Sequence, residues 1–154
     1  MQAEHAIANL LAEYCEHFDA GDFIAFAALF ENGCWFATHA EGPGAEPVRR
    51  WCDENVILYD GLPHTKHQIG NLHIEVDGEA ASVRSYVTIW QGLPDFPLQA
   101  IFSGRYLDKL VHSGEGWRFH ERWALPDVIG DMSRHVRNPL PPGPLRAKSQ
   151  EPKP

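Results

Sequence analysis

The first thirty residues carry their apolar side chains at helical spacing. Across residues 3–18 these side chains recur three and four positions apart, which predicts an amphipathic helix with one buried face. Ala20-Gly21 ends the pattern, because glycine commonly terminates helices. Asp22 is then placed to cap a second, shorter helix that runs to Phe30.

A third helix is predicted from Pro47, a residue type that suits the first turn of a helix. Its apolar positions fall on one side, and they are Val48, Trp51, Cys52 and then Val56 or Leu58. The sequence Asp-Gly-Leu-Pro at 60–63 stops this helix. Before it, residues 34–39 are predicted as a first strand and residues 40–46 as a Gly/Pro loop.

The second half of the chain alternates apolar and polar residues, which predicts four strands at 66–76, 80–91, 98–111 and 116–125. Asp77-Gly78 is a tight-turn signal, and the other connections are also short, so neighbouring strands are expected to pair antiparallel. Helices first and a sheet after imply an α+β fold, with the helices on the concave face of a strongly bent sheet. Such a cone-shaped barrel encloses space for a ligand.

The length of 154 residues suits a single domain, which we predict over residues 1–137. From Asn138 the chain becomes rich in proline and poor in apolar side chains. Residues 138–154 are therefore predicted to form an extended or disordered tail.

The formal net charge of -8 argues against nucleic acid or an anionic membrane surface as a partner, since both require clustered Lys and Arg. No apolar run reaches the roughly 18 residues that cross a bilayer. The first residues also lack the pattern of a signal peptide, so we expect a cytoplasmic protein. The three cysteines are widely spaced, which favours small buried side chains over disulfides or zinc ligands.

Three ionisable residues are candidates for chemistry. Asp19 lies at the end of the first helix and is either a solvated acid or a functional one, because the helix dipole disfavours a carboxylate there and apolar residues flank it. His67 lies at the start of the first long predicted strand and is either a structural histidine or a proton acceptor. Either Arg122 or Glu121 faces the interior from the last strand, and a buried Arg would need an acidic partner. His64 lies three residues before His67, but the proline that precedes it breaks helical spacing, so we expect no metal site.

Motifs spread over residues 5–125 occur in a fixed order: Ile7, Tyr14, Asp19-Ala-Gly-Asp22, Leu29-Phe30, His64-Thr-Lys-His67, Asn71, Asp77-Gly78-Glu-Ala80, Gly104-Arg105-Tyr106, Asp108, Gly116-Trp117-Arg118 and Arg122. In this combination the chain resembles the SnoaL-like branch of the nuclear transport factor two-like superfamily, which is similar to scytalone dehydratase, lindane dehydrochlorinase and polyketide cyclases. The resemblance implies an α+β cone around a deep apolar cavity. It also implies a homodimer or homotrimer built through the sheet.

The resemblance further implies roles for single residues. In the dehydratase and dehydrochlorinase members, an Asp on the first helix orients a His that removes a proton from the substrate, and Asp19 and His67 match that pair. Arg122 matches a final-strand Arg that interacts with the leaving group of the substrate. Tyr14 stands where the dehydrochlorinase has a cavity Lys. The candidates for the substrate-binding wall are Tyr14, Trp35, Leu58 and Thr65, and plain core packing is the alternative for the last three.

Three functions are consistent with these residues. The first is a lyase of the dehydratase or elimination type, acting on a small hydrophobic, aromatic substrate without a metal or organic cofactor. The second is an isomerase or polyketide-type cyclase that uses the same base, and the third is a non-catalytic module that binds a small ligand. An Asp–His pair favours an enzyme, which predicts that the Asp19 carboxylate and the His67 imidazole lie within hydrogen-bond reach beside a cavity.

Overall fold

The computed structural model describes residues 2–37 and 40–145. The helices are α1 (Ala3–Asp19), α2 (Phe23–Ala28) and α3 (Ala45–Asn55). The strands are β1 (Cys34–Phe36), β2 (Ala40–Pro43), β3 (Thr65–Asp77), β4 (Ala80–Leu93), β5 (Phe96–Ser113), β6 (Gly116–Ile129) and β7 (Gly143–Pro144). Within these described residues, no helix combines the length and apolar content needed to cross a bilayer.

The described strands form one mixed, curved sheet that does not close on itself, and the N-terminal helices pack on it. The strand order is β2-β1-β6-β5-β4-β3, and β7 also pairs with β6. Strand β1 runs parallel to β6, whereas β3 to β6 form an antiparallel meander. The predicted α+β class, with early helices and a bent sheet after them, is confirmed.

Alternation along the strands determines which side chains enter the core. In β4 the inward side chains are Ala81, Val83, Ser85, Val87, Ile89 and Gln91, and all six are buried. They face a buried stripe of α1 that consists of Ile7, Leu10, Leu11, Tyr14 and Phe18. Both periodicities confirm the prediction and place the core between α1 and the sheet.

The junction between α1 and α2 fixes the position of the last residue of α1. Gly21 has a φ of 70°, a conformation that favours glycine, and its Cα lies against the backbone carbonyl of Gly61. Asp22 caps α2 as predicted, because the amide of Ala25 donates to its Oδ1 at 3.0 Å. Asp19 is thereby held at a sharp corner, close to the start of β3.

Two local predictions were wrong. Residues 40–43 form a short strand paired with β1 rather than a loop, because the chain folds back beside the edge that β1 offers. Helix α3 ends at Asn55 instead of continuing past Val56, whose backbone is extended and pairs with Val136. The predicted first strand is observed only at Cys34–Phe36, and its residues 38 and 39 lie outside the described part of the chain.

The segment that follows β6 returns to the end of α3 and to the turn between β4 and β5. The amide of Arg137 donates to the carbonyl of Asn55 at 2.9 Å, and Arg134 forms an ion pair with Asp95 at 2.8 Å. Strand β7, at Gly143–Pro144, then pairs with the end of β6. The described part of the predicted tail thus lies along the fold, while residues 146–154 fall outside the described residues.

Candidate active site

A cavity of about 360 Å³ lies between the helices, the concave face of the sheet and the segment after β6. Its wall is mainly apolar and includes the aromatic side chains of Phe18, Trp35, Trp51, Phe102 and Tyr106. The histidines on the wall are His67 and His135. A mainly apolar cavity of this size with a few polar groups is typical of a small-molecule site.

Asp19 and His67 form a close pair at this cavity. Asp19 Oδ1 lies 2.6 Å from His67 Nδ1, and the two side chains are only 8% and 4% exposed. The backbone amide of His67 donates to Asp19 Oδ2 at 2.8 Å, and the hydroxyl of Thr65 donates to Oδ1 at 2.8 Å. The carboxylate therefore accepts three hydrogen bonds from the first residues of β3.

These hydrogen bonds determine the protonation of the pair. Burial alone would raise the pKa of Asp19, but the hydrogen bonds and charge of His67, together with Thr65, hold that pKa below its usual value. An ionised carboxylate only accepts hydrogen bonds, so the proton of neutral His67 sits on Nδ1. Its Nε2 keeps a lone pair, is not fully enclosed and has no hydrogen-bond partner among the described residues. His67 can thus accept a proton from a molecule in the cavity.

Tyr14 lies on the cavity wall between α1 and the sheet. Its hydroxyl accepts a hydrogen bond from Trp35 Nε1 at 3.1 Å, and its ring packs edge-on against His67 at a centroid distance of 6.4 Å. Burial raises the pKa of Tyr14 to about 12, although the charge of Arg122 opposes this shift. Tyr14 is therefore protonated at neutral pH and can donate a hydrogen bond.

Arg122 is not part of the described cavity wall, whereas the resemblance implied that it contacts the leaving group of the substrate. Its guanidinium is fully buried and binds both carboxylate oxygens of Asp108, at 2.7 and 2.8 Å. It also stacks on the rings of Tyr14, Tyr106 and Phe119, at 4.2, 4.0 and 4.6 Å from their centroids. Its remaining nitrogen, Nη1, has no hydrogen-bond partner among the described residues and is enclosed by this cage. Arg122 thus positions Tyr14 and Tyr106 from behind the wall.

Of the four residues expected on the cavity wall, two line the cavity and two do not. Tyr14 and Trp35 line the cavity. Thr65 is buried and touches Asp19 instead of the cavity, so it supports the pair. Leu58 is 40% exposed and does not line the cavity, because α3 ends before it and the extended chain turns its side chain outward.

His135 was not identified from the sequence. It follows β6 in a stretch without regular periodicity, so no local pattern marks it. Its side chain lines the cavity, and the residue is 3% exposed. Burial, together with the charge of His67, lowers its pKa to about 3 despite the opposing charge of Asp19. His135 is therefore neutral across the physiological pH range.

The described residues contain no group of three or more His, Cys, Asp and Glu side chains that could hold a metal ion. His64, the partner considered for a metal pair with His67, is exposed and its ring lies near Tyr59.

Helices on the concave face of a curved mixed sheet, around an aromatic cavity with a buried Asp–His pair, define a small-molecule-binding domain of the cystatin-like type. The model of the SnoaL-like domain matches residues 1–123, and the chain belongs to this family. No curated protein matches the chain.

Solved structures share the fold. A protein provisionally named scytalone dehydratase from Novosphingobium aromaticivorans is 21% identical with a TM-score of 0.69, over 94% of this chain and 95% of that one. A nuclear transport factor two-like protein with a cystatin-like fold from the same organism is 18% identical with a TM-score of 0.67, over 79% and 80%. A protein of unknown function from Mycobacterium tuberculosis is 25% identical with a TM-score of 0.68, over 80% and 71%.

Proposed function

We propose that the protein is a cofactor-independent lyase that removes a proton from a small, neutral, aromatic substrate and expels a group from the adjacent carbon. The observation that carries this proposal is the 2.6 Å contact between Asp19 Oδ1 and His67 Nδ1 beside an aromatic cavity. This contact leaves His67 Nε2 as a base, while the carboxylate stabilises the imidazolium that forms.

The elimination needs no group beyond the Asp19–His67 pair and the substrate. On a β-hydroxy ketone, His67 Nε2 takes the proton from the carbon next to the carbonyl. The electrons of that C–H bond form the C=C bond, and the C–O bond to the hydroxyl breaks. The proton on His67 then passes to the departing oxygen, which leaves as water, and the product is a conjugated enone.

The test uses 4-hydroxy-4-phenylbutan-2-one, an aromatic β-hydroxy ketone that becomes a strongly absorbing enone when it loses water. We expect the protein to accelerate this loss and His67→Ala to reduce the rate by about 100-fold or more, because general base catalysis contributes about 10²–10⁴-fold. Asp19→Asn reverses the preferred tautomer of His67 and should also slow the reaction. His64→Ala, an exposed neighbour, serves as the matched control and should keep the parent rate. Equal rates in the parent and in His67→Ala would refute the proposal.

An isomerase or polyketide-type cyclase is the second candidate, and the position of Arg122 favours it. Because Arg122 is bound to Asp108 behind the wall, it does not assist a leaving group, whereas proton removal and return need only His67. The β-hydroxy ketone separates the two functions when its hydrogen exchange and its loss of water are both measured. Hydrogen exchange without loss of water would support the isomerase, and binding without either reaction would support a non-catalytic module.

We further propose that the chain forms a homodimer or homotrimer through the outer face of the sheet. Large apolar side chains are exposed there, among them Tyr86 on β4, which is 58% exposed, and Val128 on β6, which is 52% exposed. Large apolar side chains that are exposed on one face of a sheet make that face a candidate interaction surface. The inner face, with the cavity, is left free for the substrate.

A further inference from the structure

His135 occupies a fixed place on the cavity wall although it belongs to no helix or strand. Its amide donates to the carbonyl of Met132 at 3.0 Å, and its carbonyl accepts from the amide of Ile57 at 2.9 Å. The next residue, Val136, pairs with Val56. These backbone contacts tie the segment to the chain that leaves α3, so the His135 ring is presented to the cavity by a well-anchored backbone.

The two ring nitrogens of His135 have different surroundings. Nδ1 is enclosed by protein and has no hydrogen-bond partner among the described residues. Nε2 is not enclosed in this way and makes no hydrogen bond within the described part of the chain, so it is the nitrogen that the cavity can reach. An enclosed N–H without an acceptor is rarer than an enclosed lone pair without a donor. The proton of the neutral ring therefore belongs on Nε2, where it can meet a ligand.

His67 and His135 consequently offer complementary groups to one cavity. The ring of Phe18 contacts both histidines, and its centroid lies 4.7 Å from that of His67 and 5.8 Å from that of His135. His67 presents a lone pair on Nε2, because its Nδ1 donates to Asp19. His135 presents an N–H on the corresponding atom. One histidine accepts a proton, and the other donates a hydrogen bond.

The charges on the wall favour a neutral ligand. Glu54 lines the cavity, Asp19 lies directly behind His67, and no Lys or Arg side chain is part of the described wall. A carboxylate or phosphate ligand would meet negative charge without a cation to compensate it. An uncharged oxygen, such as a ketone carbonyl, avoids this repulsion and still accepts a hydrogen bond.

We propose that His135 Nε2–H binds the carbonyl oxygen of a neutral ketone substrate while His67 removes a proton from the carbon next to that carbonyl. This inference rests on the proposed function and names the substrate class of the same site. In the step, the electrons of the C–H bond form the C=C bond of an enolate, negative charge develops on the oxygen, and the proton moves to His67 Nε2. His135 keeps its proton and stabilises the oxygen by a preorganised hydrogen bond. The low pKa of His135 agrees with a neutral donor, since a ring that titrates at about 3 is uncharged at pH 7.

The experiment compares two probes of similar shape, 2-tetralone and its hydrocarbon analogue tetralin, by measuring their dissociation constants. The parent protein should bind the ketone more tightly than the hydrocarbon. His135→Phe, which keeps a ring of similar size without nitrogen, should reduce this preference about 5- to 10-fold, as expected for one neutral hydrogen bond. His135→Gln retains an N–H donor and should restore part of the preference. His120→Phe, an exposed histidine on β6, is the matched control and should bind both probes as the parent does.

These binding constants separate the inference from the proposed function. If His67→Ala abolishes catalysis but keeps the ketone preference, and His135→Phe loses that preference, both proposals are supported. If the parent catalyses no reaction but His135→Phe still loses the preference, the function fails and the role of His135 stands. An unchanged ketone preference in a folded His135→Phe variant, or no preference in the parent, would overturn the inference.

Discussion

At the scale of single residues, the hydrogen bonds of Asp19 define its role in the pair with His67. Its three hydrogen bonds all come from Thr65 and His67, at the start of β3. They hold an ionised carboxylate at the end of a helix, where the dipole disfavours negative charge. The same contacts select the tautomer of His67, so the basicity of Nε2 depends on residues that a ligand does not touch.

His135 should make the stability of the protein sensitive to acid. Its pKa falls to about 3 in the folded chain, against about 6.5 in the unfolded chain, so the unfolded chain binds the proton first. The free energy of unfolding should then decrease between about pH 6.5 and about pH 3, by up to about 1.4 kcal/mol per pH unit from this group alone. Above pH 6.5 the group should have no effect.

Urea unfolding at a series of pH values tests this expectation. His135→Phe should show a shallower loss of stability below pH 6.5 than the parent, whereas the exposed His120→Phe should follow the parent. Identical pH slopes for His135→Phe and the parent would show that His135 takes up its proton in the folded state.

Some residues of the candidate site could be predicted from the sequence, and others could not. Asp19 and His67 could be selected because Asp19 lies at a helix end among apolar residues and His67 lies at a strand start, and the family resemblance joined them into a pair. His135 could not be selected, because its position depends on how the chain returns after β6. Leu58 was misplaced for a related reason, since its orientation depended on where α3 ends.

At the scale of elements, the pairing of β5 with β6 explains why Arg122 points inward. If the register at the turn, where Ser113 pairs with Gly116, continued unchanged, Arg122 would lie opposite Leu107. A β-bulge between Lys109 and Leu110 shifts the register by one residue and places Arg122 opposite Asp108. The sequence predicted both strands but gave no sign of the bulge, so the acidic partner could not be named.

The buried pair of Arg122 and Asp108 should be sensitive to the loss of one partner. Burial raises the pKa of Asp108, and only the charge and hydrogen bonds of Arg122 oppose that shift. Arg122→Met should lower the free energy of unfolding by about 3–5 kcal/mol, because it leaves Asp108 buried without a counter-charge.

Chemical denaturation measures this cost, and the double variant Arg122→Met with Asp108→Leu is its control. The double variant should be more stable than the single variant, because no unpaired charge remains. A single variant as stable as the parent would show that the pair does not hold the two strands in this arrangement.

At the scale of the whole molecule, the fold was predictable because its periodicities are strong and local. Helical spacing in α1 and alternation in β4 correspond directly to buried faces. The parts that escaped prediction are β2 and the return of residues 131–145, which follow from pairing partners distant in sequence. The cavity depends on both kinds of structure, and its closure by the later segment could not be inferred from local patterns.

The proposed assembly through the outer sheet face leads to a further expectation. Tyr86→Lys places a charge in the exposed apolar surface, so it should shift the protein towards the monomer in light scattering coupled to gel filtration. Ile24→Lys is the matched control, because Ile24 is 69% exposed on α2, away from the sheet. A parent that is monomeric at every concentration, or a Tyr86→Lys variant that assembles normally, would contradict the assembly.

The central claim is that the Asp19–His67 pair removes a proton from a neutral ligand in the cavity. Its most direct measurement is the incorporation of deuterium into 2-tetralone in heavy water, followed by NMR, since this detects proton removal whether or not a group leaves. The account predicts exchange well above the uncatalysed rate for the parent, and a loss of about 100-fold or more of that acceleration for His67→Ala. Exchange at the parent rate in a folded His67→Ala variant would contradict it.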